Sequence, residues 1–463
     1  MQCDVDQMTI DVLPDDALLE IFVFYVHGNR STSAWHTLIH VCPRWRNIVF
    51  GSPYRLKLQL ECTPRKPLKK TLEVWPPLPM VIKGKYYSKS SGDNIVAMLK
   101  HNDRVSEIDL RVLSSSLSEN VMTVMQESFP MLSNLKLCFA DKISSAILAD
   151  PELFLGGSAP SLQSLTLEGV PFPSLPALLL TATNLVHLTL SNIPHSGHFS
   201  PISIATCLST LAGLETLLLE FESPRSRPDR EYLPRSGGCS VLPALTSFLF
   251  KGDFEYLENL VARIDAPQLA DLHITFNKPT FDTPELAQFI ERTPTFKTHD
   301  EAHVEFYDSC VGVILPQANS HRLHLRVLCR HSDWQLESLA QLCTSSLPRA
   351  LILKVERLYI FHSPFGLRWQ DDIRRLEFLQ SFTRVKDLYL SWGFVSHIAP
   401  ALQDLVGNIV TLPALQSLFW EGLNPSGPVK EALDKLTDAR QRFNHPIAVS
   451  HWDRAGYAVG GRR

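Results

Sequence analysis

"PMLSNLKL", Pro130 to Leu137, is the stretch on which the fold turns. Its leucines fall as L-x-x-L-x-L. The last two alternate onto one face of a short strand and point into a core, while the first closes the turn that enters the strand. The same spacing recurs in "LQSLTL" (Leu162 to Leu167), "LVHLTL" (Leu185 to Leu190) and "LETLLL" (Leu214 to Leu219). Looser copies are "VSEIDL" from Val105, "LTSFLF" from Leu245, "LADLHI" from Leu269, "VERLYI" from Val355, "VKDLYL" from Val385 and "LQSLFW" from Leu415.

The third apolar positions stand at 110, 137, 167, 190, 219, 250, 274, 360, 390 and 420, with steps mostly between 23 and 31 residues. That is the period of leucine-rich repeats and their longer variants. The gap from 274 to 360 is expected to hide two or three degenerate copies, near "HVEFYD" and "RLHLRVL". Five copies begin Pro-x-Leu, at Pro130, Pro160, Pro243, Pro267 and Pro413. Proline ends the preceding helix and fixes the backbone where a missing N–H is tolerated. Segments between strands, such as "LSENVMTVMQESF" and "EYLENLVARI", carry apolar residues at helical spacing. No unit buries its apolar side alone, so the units are expected to stack as an α/β solenoid. The Asn or Cys that usually follows the third apolar position is replaced by Ala140, Val170, Ile193 and Glu222, which predicts irregular curvature.

Composition bounds the function. With 44 Lys+Arg against 48 Asp+Glu over 463 residues, the surface has no electrostatic footprint for nucleic acid or an anionic membrane. No apolar run reaches the roughly 18 residues of a membrane span, and no basic segment leads an apolar one as in a secretory signal. Nine cysteines without a C-x-x-C pair signal neither a zinc site nor a disulfide framework. A cytoplasmic or nuclear location is expected. No nucleophile-elbow, metalloprotease or phosphate-loop motif occurs, and "GKYYSKSSGDN" (Gly84 to Asn94) lacks phosphate-loop spacing. His36 and His40 are i, i+4 without a third ligand, and Asp371 and Asp372 suit a helix start. The expectation is a non-enzymatic protein without cofactor or metal. The loop Phe221 to Ser240 and the tail "AGYAVGGRR" read as mobile, solvated segments. Tyr389, Trp392 and Trp420 are candidate partner anchors that equally suit packing between units.

The N-terminal block "LPDDALLEIFVFYVHG", Leu13 to Gly28, is densely apolar. Pro14 suits a first helical turn and Asp15, Asp16 and Glu20 its positive end, with Leu18, Leu19, Ile21, Phe22 and Tyr25 giving a wide apolar face. "GNRSTS" breaks the chain, with Ser33 a candidate cap, and Trp35, Leu38, Ile39 and Val41 form a second face. Pro43 starts a third helix carrying Trp45, Ile48 and Val49, ended by "GSP", and "RLKLQL" alternates like a strand. Three short helices in about forty residues have little room for a core of their own, so part of this apolar surface must meet something else.

The run "LPDDALLEIF…WHTLIHVCPRWRNIVFGSP" resembles an F-box, and "LKLQLECTPRKPLKKTLEVWPPLPMVI" resembles the join between F-box and repeats in a large group of fungal F-box proteins. The resemblance implies a division into an F-box over 1–54, a connecting segment and first degenerate repeat over 55–100, a leucine-rich-repeat-like solenoid over 101–440 and a tail over 441–463. It also implies a role: substrate receptor of an SCF-type ubiquitin ligase, docking on a Skp-type adaptor and through it on a cullin–RING scaffold, with the solenoid holding an unidentified target protein. The adaptor-facing positions it implies are Leu13, Pro14, Leu18, Ile21, Phe22, Val41, Cys42 and Trp45. The alternative is a repeat scaffold without a ligase role, its N-terminal helices a cap.

Overall fold

The computed structural model of the chain describes residues 10–29, 34–64, 72–73, 75–86, 89–112, 115–139, 151–170, 175–222, 239–279, 281–297, 299–316, 322–329, 333–362, 377–391, 411–422 and 427–453. Ser33, Asp371, Asp372, Trp392, the core of the 221–240 loop and the last ten residues lie outside them. The chain forms two compact units, 1–182 and 183–463, each of α/β construction on a mostly parallel sheet. The N-terminal helices belong with the first strands because Trp35 and His36 pack on Trp75, at ring-centroid distances of 5.5 and 4.8 Å.

In the first unit the N-terminal helices are α1 (Asp15–Gly28), α2 (Ala34–Ile39) and α3 (Pro43–Gly51). The strands that follow are β1 (Leu60–Cys62), β2 (Met80–Tyr86), β3 (Val105–Val112), β4 (Asn134–Phe139) and β5 (Ser164–Glu168), and from β1 to β5 each pairs in parallel with the next. The expected strand over "RLKLQL" begins only at Leu60. Before it, Leu56 and Leu58 bond back to Ser52 and Pro53 in a turn, with Lys57 at φ 48°. Gly84 in β2 allows a close approach: a Cβ there would meet Pro64 Cδ at 2.6 Å. "GKYYSKSSGDN" is thus a strand end and helix start.

The second unit contains β6 (His187–Ile193), β7 (Thr216–Phe221), β8 (Ser240–Val241), β9 (Ser247–Gly252), β10 (Ile264–Asp265) and β11 (Asp271–Phe276). Next come β12 (Glu301–Tyr307), β13 (Cys310–Pro316), β14 (Arg322–Leu328), β15 (Arg357–His362), β16 (Asp387–Leu390), β17 (Ser417–Glu421) and β18 (Ala448–Trp452). Its main sheet runs β6-β7-β9-β11-β14-β13-β12-β15-β16-β17-β18, with β8 and β10 forming a separate small pair.

The repeat dictates the register. Leu110 pairs with Leu137 and Leu137 with Leu167, and in the second unit Leu190, Leu219, Phe250 and Ile274 align in sequence. Ile360, Leu390 and Trp420 align likewise. Each alignment stacks the third apolar positions into a spine that is buried except at half-buried Trp420. The Pro-x-Leu signal also has its geometry: Leu132, Leu162, Leu245, Leu269 and Leu415 each donate N–H to the carbonyl three residues back. Proline therefore occupies the second position of a β-turn, where its fixed φ is favourable. Val170 and Ile193 are buried where the usual repeat carries a polar ladder.

Between 274 and 360 the expectation needs correction. "HVEFYD" and "RLHLRVL" are strands, β12 and β14, but they are not successive repeats. β13, "CVGVILP", runs antiparallel between them, and β14, not β12, pairs with β11. An odd number of inserted strands restores the direction, so β12 meets β15 in parallel. The connections β11→β12 and β14→β15 therefore overlap, and buried polar contacts join them: Thr283 and Ser346 hydroxyls at 2.7 Å, Ser338 to the Pro279 carbonyl, and the Gln341 amide to the Phe281 carbonyl.

Helix Pro428–Arg442 leads into β18, which pairs with β17, and Trp452 donates Nε1–H to the Leu390 carbonyl at 3.2 Å.

Candidate protein-docking sites

The N-terminal head, helices α1 to α3, has two apolar faces where one would be enough to fold it. On α1, Leu18, Leu19 and Phe22 point inward and are buried, and Phe22 lies 4.7 Å from the Trp45 ring. The opposite side places Ala17, Ile21, Phe24 and Gly28 at i, i+4, i+7 and i+11, a second stripe at helical spacing. Ile21 is 47% and Phe24 83% exposed, with Tyr25 exposed beside them. Apolar surface concentrated on one helix face marks an interaction site more often than scattered exposed residues do.

The corner before α1 is held in place. Leu13 donates N–H to the Ile10 carbonyl, and Arg44 of α3 donates from Nη2 to the Leu13 carbonyl (2.6 Å) and from Nε to Asp15 (2.9 Å). This fixes Leu13, 36% exposed, and Pro14, also exposed. Glu20 pairs with Arg55.

The eight sequence-derived candidates therefore separate. Leu13, Pro14, Ile21 and Val41 (55% exposed) face solvent, while Leu18 and Phe22 pack inside the head. Cys42 and Trp45 are half-buried. The Cys42 Sγ accepts the Trp45 N–H at 3.5 Å and caps α3. Phe24, Val12 and Ile10 are exposed residues that the motif does not mark. The i, i+4, i+7 spacing from Ala17 was the signal that could have found Phe24.

The second candidate surface is the outer strand face of residues 183–463. Register aligns Leu218, Leu249 and His273, then His324, Ile314 and His303, then Tyr359, Tyr389 and Phe419. No Asp, Glu, Lys or Arg interrupts this row. The Tyr389 ring stacks between Tyr359 (4.2 Å) and Phe419 (4.5 Å), and Trp452 packs edge-on to Tyr389 at 5.5 Å. Tyr389 is thus half-buried in a ladder of rings, and Trp420 is half-buried on the spine side. The imidazoles of His273 and His324 lie 4.2 Å apart. Burial pushes His324 down to about 3 and lowers His273, so both are neutral near pH 7.

His36 stacks on Trp75 and His40 is exposed. Among the described residues no group of three or more His, Cys, Asp or Glu is arranged to hold a metal ion, and no helix is long and apolar enough to cross a membrane. The eight described cysteines are free, and burial pushes the Cys343 thiol up to about 12. No protein-family model matches the chain, and no curated protein matches it.

Proposed function

We propose that this chain is a substrate-receptor subunit of an SCF-type ubiquitin ligase. The head docks on a Skp-type adaptor, and the following strand–helix units form an irregular leucine-rich-repeat-like solenoid that holds the target. The observation that carries this reading is the second apolar stripe of α1, Ile21 and Phe24, beside the fixed corner at Leu13 and Pro14. A helix that only capped a solenoid would turn polar residues outward. The chemistry belongs to the assembled ligase. The receptor raises the effective concentration of target lysines near the charged conjugating enzyme.

Co-expression of the full chain with its host's Skp-type adaptor tests this. Wild type should form a stable complex. Phe24→Asp should abolish it, and Leu13→Ala/Pro14→Ala should weaken it by about 2 kcal/mol. A folded wild-type chain that binds no adaptor removes the reading and leaves the head as a cap.

A further inference from the structure

Arg326 is out of place on its strand face. It points outward from β14, with Thr275 of β11 on one side and Gly312 of β13 on the other. The other basic side chains on this part of the face have acidic partners. Lys251 pairs with Glu220 at 2.5 Å, Arg322 with Asp271 at 3.5 Å and Arg357 with Asp300 at 2.9 Å. The acid in register across Gly312 is Glu305, whose Oε2 accepts the Tyr307 hydroxyl at 2.7 Å and which forms no ion pair with the guanidinium among the described residues. Among the described residues Arg326 has no ion pair and no hydrogen-bond acceptor. Its Nε is buried without a partner.

It is also held still. The guanidinium carbon lies 5.4 Å from the Tyr307 ring centroid, a cation–π arrangement that fixes the head group. Opposite it the face is notched. A Cβ at Gly312 would come within 3.0 Å of the Leu325 carbonyl and 3.4 Å of His324 Nε2, so glycine keeps the place beside Arg326 clear of any side chain.

We propose that Arg326 anchors a carboxylate of an extended, otherwise apolar segment of the target protein. This deepens the receptor reading, since it takes residues 183–463 to be the target-holding part. The row from Leu218 to Phe419, which holds no Asp, Glu, Lys or Arg, crosses eight inter-strand steps, about 38 Å, which about eleven extended residues span. Ile314 stands at its centre and Leu249 next to one end, and both meet apolar side chains. Arg326 is the guanidinium on this part of the face without a hydrogen-bonded acid, and its fork matches one carboxylate in two parallel hydrogen bonds. A phosphoryl group brings roughly −1.5 to −2 and needs a second free cation, and Lys251 is already engaged. The bound segment is therefore acidic but not phosphorylated.

The test uses the purified full chain and immobilised eleven-residue peptides of alternating Leu and Ser, whose central residue is Glu, Gln, phosphoserine or Lys. The Glu peptide should bind about tenfold more tightly than the Gln and Lys peptides, and no more weakly than phosphoserine. Arg326→Ala should erase the preference for Glu, Arg326→Lys should keep part of it, and Arg322→Ala should leave it intact. Equal binding of Glu and Gln, a preference surviving in folded Arg326→Ala, or stronger binding of phosphoserine overturns the proposal. The head variant Phe24→Asp, which should lose the adaptor, should keep the full preference. A preference found in a chain that binds no adaptor would retain the anchor and remove the ligase role.

Discussion

The two units share a spine and differ in what stands in front of it. Behind the sheet, Leu110, Leu137 and Leu167 align in the first unit as Leu190, Leu219 and Phe250 do in the second. In front, the first unit aligns Lys83, Asp109 and Lys136, with pairs Lys83–Glu107 at 3.8 Å and Lys136–Asp109 at 3.9 Å. The second unit aligns Leu249, His273, His324, Tyr359 and Tyr389 at the equivalent places. Register is set by the inward positions, because slipping by one residue would turn every leucine to solvent. The outward positions are free of that constraint. A charged face stays solvated, and an aromatic and imidazole face is suited to contact.

The comparison breaks first if the spine is not common to both units. Leu137→Ala and Phe250→Ala remove fully buried side chains from equivalent places. Each should cost about 3–5 kcal/mol, read as loss of unfolding free energy in urea. A cost below about 1 kcal/mol at either position would mean that its unit does not depend on the shared spine.

How far the sequence could be read follows from the same split. Leucine positions 110 to 274 and 360 to 420 were legible because parallel strands repeat one solution, and Pro130, Pro160 and Pro267 announce the turns. The stretch 301–328 was not. "HVEFYD", "CVGVILP" and "RLHLRVL" each read as a strand, but sequence spacing carries no information on the order in which non-local strands pair. Residues 443–453 looked like a tail because "AVSHW" is short and lacks the leucine spacing of the repeat, and only Trp452 on the aromatic ladder explains its docking. In the head the three helices were legible from Pro14, Pro43 and Gly51. The motif, however, gives a set of apolar residues without saying which side each takes. Leu18 went inward and Phe24 outward because α1 has apolar residues around most of its circumference, and only packing against α2 and α3 chooses.

Acid should sharpen the comparison next. The four described histidines whose proton affinity is lowered, His198, His273, His299 and His324, all lie in the second unit, and burial is the main cause in each. A folded-state pKa held below the unfolded 6.5 means that the unfolded chain takes up protons first. The stability that neutral imidazoles contribute is therefore complete above about pH 6.5. It is lost as pH falls from there toward about 4 for His198 and about 3 for His324. Between pH 7 and 5, buried His324 should account for on the order of 1–2 kcal/mol and half-buried His198 for less. Urea unfolding at the two pH values measures this. His324→Gln, whatever its cost at pH 7, should flatten the dependence, and an unchanged slope would mean that the imidazole is already protonated or solvated in the fold.

The charged face of the first unit should give the smallest effect. Lys136 and Asp109 are each about half exposed and stand 3.9 Å apart, close enough for attraction but beyond a hydrogen bond. Water screens such a pair, and holding two flexible side chains together cancels much of the gain. Lys136→Ala should therefore change the unfolding free energy by less than about 0.5 kcal/mol, and 0.5 M salt should remove what difference there is. The contrast with Arg326 is the instructive part. Lys136 has an acid within reach and water around it, whereas Arg326 has a fixed head group and, among the described residues, no acid in an ion pair with it. If Lys136→Ala cost more than 1 kcal/mol, the first unit's face would be part of a packed contact, and the distinction between a solvated face and a binding face would fail at its charged end.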